Sequence, residues 1–206
     1  MEILASIQNW NREVGCHRLS SLRVGCSKSV RLSGYFLIFF LMSVIGLKGA
    51  TASLSEYQIK GLFLVNFIKY VDWPEASFSG SESPVVIGII GVNPFDEHLK
   101  RIINDKEVKG RKVMVIEVQN QADVARCHLL FIAKSERNRV NDILRMVGEK
   151  PILTVGEDEA FLDAGGVINF VLKNEKIRLE INLIAVSDRP LSISSRLLNV
   201  ADVVKR

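Results

Sequence analysis

The stretch Ser55 to Pro74, SEYQIKGLFLVNFIKYVDWP, constrains the fold most, because it reads as a helix too apolar to stand alone. The Ser55 hydroxyl is placed to accept from the N3 amide while Gln58 reaches back to the Ser55 N–H, a capping box, and Leu54 is placed to pack on Ile59. Apolar residues at Ile59, Leu62, Phe63, Phe67 and Tyr70 keep helical spacing. Leu64, Val65, Ile68 and Val71 then widen the apolar surface beyond one stripe. Glu56, Lys60, Lys69 and Asp72 are left to face water, and Pro74 ends the helix near Trp73. Such a helix needs cover on more than one side, and the rest of the chain has to supply it.

Charge and hydropathy separate a leader from a domain. The chain carries 27 Lys and Arg against 23 Asp and Glu. That excess lies wholly before Ser53, where Arg12, Arg18, Arg23, Lys28, Arg31 and Lys48 face only Glu2 and Glu13. The remainder is neutral and has no basic stripe, which argues against nucleic-acid binding. Tyr35 to Leu47, YFLIFFLMSVIGL, is an apolar run closed by Lys48 and followed by Ala50-Thr51-Ala52. It is shorter than the roughly 20 residues of a spanning helix. The pattern predicts a signal peptide over 1–52, cleavage after Ala52 and a mature domain over 53–206 with no membrane span. Export implies an oxidising compartment. Cys16 and Cys26 leave with the leader, so Cys127 is the lone cysteine of the mature chain and reads as a small buried apolar residue.

The mature part alternates strand and helix. Ser77 to Pro84 is a polar connection, and Val85 to Val92, VVIGIIGV, is a strand buried on both faces. Asn93 is expected to cap a short helix ending near Ile103, with Pro94 at its first position. Lys112 to Val118 and Leu129 to Ala133 are further strands. Ser135 is expected to cap a helix over Glu136 to Val147, and Ile152 to Val155 is a fourth short strand. Val167 to Leu172 and Ile177 to Leu183 form a hairpin, and Ser194 to Val204 reads as a closing helix. Together these predict a single α/β domain, a mostly parallel sheet flanked by helices on both faces, with a C-terminal antiparallel hairpin.

Catalytic constellations are scarce in this part. His98, His128 and Cys127 do not supply three or four metal ligands at the spacings zinc sites use. Gly88-Ile89-Ile90-Gly91 lies where a dinucleotide fingerprint would sit, but G-x-G-x-x-G is absent, and close strand packing with a tight turn accounts for the glycines. Glu157-Asp158-Glu159 reads as the acidic start of a short helix. The reading is therefore not an enzyme, with no cofactor. Two groups stand out instead as a partner surface: the polar row Arg178, Glu180 and Asn182 with Asn169 opposite it, and Phe67, Tyr70 and Trp73 at the end of the first helix.

Five blocks in order, EYQIKGLFLVNFIKYVDWP, IGIIGVNPF, CHLLFIAKSE, ILTVGEDEAFLDAGGVINFVLKNEKIRLEINLIAV and ISSRLLNVADVV, resemble the YfiR-like family of exported bacterial proteins. The resemblance implies a small periplasmic α/β regulator that contacts the periplasmic portion of an inner-membrane diguanylate cyclase and represses it, lowering cyclic di-GMP and disfavouring biofilm. It leaves open a homodimer. The disulfide bridges of that family cannot form within a mature chain having Cys127 alone. The alternative from the residues themselves is a periplasmic small-molecule-binding module, with its cleft outside the carboxyl ends of the parallel strands.

Overall fold

The computed structural model describes residues 55–205. The expected leader, its cleavage after Ala52 and the contact of Leu54 lie outside the described residues.

The elements, in chain order, are α1 (Glu56–Tyr70), β1 (Val71–Asp72), β2 (Val85–Ile90), α2 (Asp96–Ile103), β3 (Glu107–Val108), β4 (Arg111–Val118), α3 (Gln121–Ala125), β5 (Leu129–Ile132) and α4 (Val140–Val147). They continue as β6 (Leu153–Gly156), β7 (Ile168–Lys173), β8 (Lys176–Asn182), α5 (Leu183–Ser187), β9 (Ser192–Ile193), α6 (Ser195–Leu198) and β10 (Val203–Lys205). An eight-stranded sheet has the order β10-β8-β7-β6-β5-β2-β4-β3, and β1 with β9 makes a separate two-stranded ribbon. The pairs β4-β2, β2-β5, β5-β6 and β6-β7 are parallel, β7-β8 is antiparallel, and β10 runs parallel to β8. The α/β class and the hairpin follow the sequence reading.

Strand alternation assigns the two faces. Ile87, Leu129, Phe131, Leu153, Val155 and Phe170 point to one side, where α1 and α2 cover them: Phe67 stacks on Phe170 at 5.9 Å and Phe95 meets Phe131 edge-on at 4.8 Å. Leu130, Ile132 and Val118 point to the other side and pack with Val124 of α3 and with Val140, Ile143, Leu144 and Val147 of α4. Full burial of such side chains is worth about 1.5–3 kcal/mol each, so the two layers dominate the stability. Gly88 is required in this packing, since a Cβ there would lie 2.3 Å from the Cys127 sulfur.

The capping box forms as read: the Ser55 hydroxyl accepts from Gln58 N, and the Gln58 side chain accepts from Ser55 N at 2.8 Å. Several boundaries differ from the sequence reading. Helix α1 ends at Tyr70 because Val71 and Asp72 pair with Ile193 and Ser192. Helix α2 starts at Asp96, after Phe95, and Asn93 instead closes a turn by accepting from Phe95 N at 2.9 Å. Ser135 caps no helix; its hydroxyl accepts from Val92 N at 2.9 Å, and a 3-10 turn over Lys134–Arg139 precedes α4. The expected closing helix is only the four residues of α6, capped by Ser194, and the chain then extends as β10, since the edge of β8 offers backbone groups that a free helix would not satisfy.

Candidate functional site

Phe67 is 1% exposed and held between Phe63 and Phe170, so it is a core residue. Asn169 is equally buried, opposite Glu180 in the hairpin, and its Oδ1 has no hydrogen-bond partner. Asn182 is buried as well: its Nδ2 donates to Leu162 O at 3.0 Å and its Oδ1 accepts from Ala185 N at 3.2 Å, which caps α5. Burial removes these three from any surface of the folded domain. Four of the seven residues remain accessible. Tyr70 and Trp73 are half-buried at the end of α1, and Arg178 is exposed with Glu180 half-buried beside it. Arg178 pairs with Asp202 at 3.3 Å and Glu180 with Lys173 at 3.2 Å.

The accessible four do not form one patch. Trp73 donates its Nε1–H to His128 O at 3.0 Å, next to the start of β5 and hence at the N-terminal ends of the parallel strands. Arg178 pairs with Val171, near the C-terminal end of β7, on the face away from α1. One surface is aromatic and edge-on to the sheet, the other charged and on its face.

Two polar clusters escaped the sequence reading. At the C-terminal ends of β5 and β6, Lys60 is 5% exposed, not facing water, and its ammonium meets Glu157 at 2.5 Å and also Glu56. Glu157 starts no helix; it accepts from Lys134 N at 3.1 Å and from the Tyr57 hydroxyl at 3.4 Å. The Lys60 ammonium also lies 4.7 Å from the Tyr57 ring centre. Burial depresses the Lys60 pKa, but the hydrogen bonds and charges of Glu157 and Glu56 outweigh it and hold it above the ordinary lysine value. Burial, then the Glu157 charge, raises the Tyr57 hydroxyl. The helix phase carried the signal, since Lys60 shares a face with Phe63, Leu64 and Phe67.

At the opposite ends of the strands, His128 is buried and stacked on Phe78 at 4.5 Å. Its Nδ1 accepts from Val86 N at 3.1 Å, so Nε2 carries the proton and donates to Ser77 O at 3.2 Å. Cys127 beside it is inert: burial, then the Asp123 charge, pushes its thiol up to about 12, and Sγ–H donates to Asp123 O at 3.2 Å. A separate groove of about 880 Å³ is lined among others by Leu144, Leu162, Asn182, Ile184 and Arg189. Among the described residues no helix is long and apolar enough to cross a membrane.

Comparison with curated proteins gives no match. A family model described as YfiR/HmsC-like matches residues 57–202, from the first turn of α1 to the residue before β10. That span holds nearly every element that builds the two layers, and on it the chain belongs to the YfiR/HmsC-like family.

Proposed function

We propose that this protein is an exported regulator that binds the periplasmic portion of an inner-membrane diguanylate cyclase and represses it, lowering cyclic di-GMP. The observation that carries the reading is the family match over residues 57–202. The leader over 1–52, cleaved after Ala52, delivers the domain to the periplasm, and a neutral domain without a basic stripe suits a protein partner better than a nucleic acid. Tyr70 and Trp73 supply the aromatic anchors that dominate such interfaces. Arg178 and Glu180, tied to Asp202 and Lys173 at the surface, supply charge selectivity.

Deleting the gene is expected to raise cyclic di-GMP and surface attachment, and restoring the full chain to reverse both. Retention of a membrane cyclase on the tagged protein is expected to weaken with Arg178→Ala while circular dichroism stays unchanged. Unaltered cyclic di-GMP in the deletion strain, with a cyclase partner expressed, overturns the reading.

A further inference from the structure

The segment after α1 carries the chain from the face covered by that helix to the opposite face of the sheet. Phe78 and Ser77 line a cleft of about 480 Å³ with the exposed Met114 and with Cys127 and Ile152, residues of the layer covered by α3 and α4. One imidazole holds much of this crossing. His128 accepts from Val86 N, donates to the Ser77 carbonyl, stacks on Phe78 and receives the edge of Trp73 at 6.2 Å. Both ring nitrogens are committed, and the pattern works only with a neutral ring, because Nδ1 must offer a lone pair to the Val86 N–H.

The charged groups around the ring are mostly positive. From β4, Arg111 lies over Phe78 at 3.9 Å and donates to the carbonyls of Gly80, Ser81 and Ser83. Arg126, ahead of β5, and Lys150, ahead of β6, line the cleft. Asp123 faces Arg126 at 4.0 Å, and the Cys127 thiol stays neutral. The segment's own acid, Glu75, is exposed and directed to Arg111 at 3.5 Å. No carboxylate among the described residues is paired with the imidazole. Burial holds its pKa below the ordinary histidine value, the Ser77 carbonyl offsets part of that, and Arg111 adds to the depression.

We propose that His128 is an acid-sensitive latch: the neutral ring holds Trp73 to Ser83 against the sheet, and its protonation releases that segment while the two helical layers stay folded. A proton arriving on Nδ1 sets its new N–H against the Val86 N–H, so the ring has to leave. Phe78 then comes off the cleft, and the indole of Trp73 loses the ring beside it. The inference rests on this geometry alone and does not depend on the partner proposed above.

Hydrogen exchange of the full chain, corrected for intrinsic rate at each pH, tests it. Protection of Glu75 to Ser83 is expected to fall by up to about tenfold per pH unit between the unfolded histidine value near 6.5 and the lower folded-state pKa of His128, as one-proton linkage requires, and to level off below it. Protection of Val140 to Val147 stays constant over the same range. His128→Asn keeps an acceptor near the Nδ1 position with nothing to titrate there, so its segment should show no such fall. Should that variant not fold, the ring titration of His128 followed by NMR in the unaltered protein has to reach its midpoint at the pH where the loss of protection levels off. A pH-independent segment, the same fall in folded His128→Asn, a levelling-off away from the ring's midpoint, or loss of protection in α4 in step with the segment each overturns the latch.

Discussion

The two ends of the parallel strands are closed by different chemistry. At the C-terminal ends a buried ion pair, Lys60 with Glu157, pins the start of α1, and its hydrogen bonds come from Tyr57 and the Lys134 amide. At the N-terminal ends a neutral ring, His128, pins the segment that leaves α1. Both satisfy buried polar groups across long loops. They differ in what disturbs them: the Lys60 ammonium, its pKa raised, keeps its charge across the neutral range, whereas the imidazole holds only while it is uncharged. One helix is thus anchored permanently at its beginning and conditionally beyond its end.

The largest expected effect lies at the charged end. Glu157→Ala leaves the Lys60 ammonium buried with only the partly exposed Glu56, and is expected to cost about 3–5 kcal/mol. Urea unfolding measures it, and Lys60→Met combined with Glu157→Leu is expected to recover most of the loss. A cost below about 1 kcal/mol for the single change would mean that the pair is not sealed from water.

The next effect separates the ends by pH. The folded-state pKa of His128 is depressed. Its contribution is therefore fully present above the unfolded value near 6.5 and is lost as pH falls through the folded value, at up to about 1.4 kcal/mol per unit. Lys60 has the opposite sign. Its folded-state pKa is raised above the ordinary lysine value of 10.5, so its contribution is fully present below that value and lost only as pH rises through the folded one. Stability measured by urea at pH 5.0, 6.0 and 7.5 is expected to slope less in His128→Asn than in the unaltered protein. Equal slopes would assign the acid limb to other groups.

The smallest effect provides the control. Arg178→Ala removes a surface pair with Asp202 that belongs to neither end, and is expected to change stability by no more than about 1 kcal/mol. A larger loss would show that the polar face of the hairpin contributes to the fold and weaken its use as a partner surface.

Much of the architecture was legible in local sequence. The capping box at Ser55, the buried strand Val85–Ile90 and the hairpin Ile168–Asn182 stand where spacing placed them, because burial imposes a period of 3.6 or 2 residues on the chain. The hairpin turn was legible too, although Asn174 and Glu175 both adopt positive φ, 49° and 60°, as a two-residue connection with the right twist demands. The C-terminal segment was not. Leu197, Leu198, Ala201 and Val204 keep a helical period, but the Asp202 amide donates to Leu179 O and draws the chain alongside β8.

The candidate surface was less legible than the fold. The alternation of Arg178, Glu180 and Asn182 correctly placed them on one face, yet burial splits that row, because Asn182 lies beneath the turn at Leu162 while Arg178 reaches solvent. Period gives the side of a strand; what lies over that side comes from chain far away.

The amino-acid sequence by itself determined most of which segments are helical or extended, that the residues after Ala52 are balanced in charge, and how α1 begins. These follow from propensity, capping and spacing, all acting within a few residues. Only the tertiary structure decided that Lys60, read as solvent-facing, is buried, since its charge is tolerated there through a carboxylate 97 residues away. It likewise decided that His128 is a fastening, because its partners Ser77 and Val86 lie 51 and 42 residues earlier. Desolvation has to be offset atom by atom, and the atoms that do so meet only when the sheet has closed.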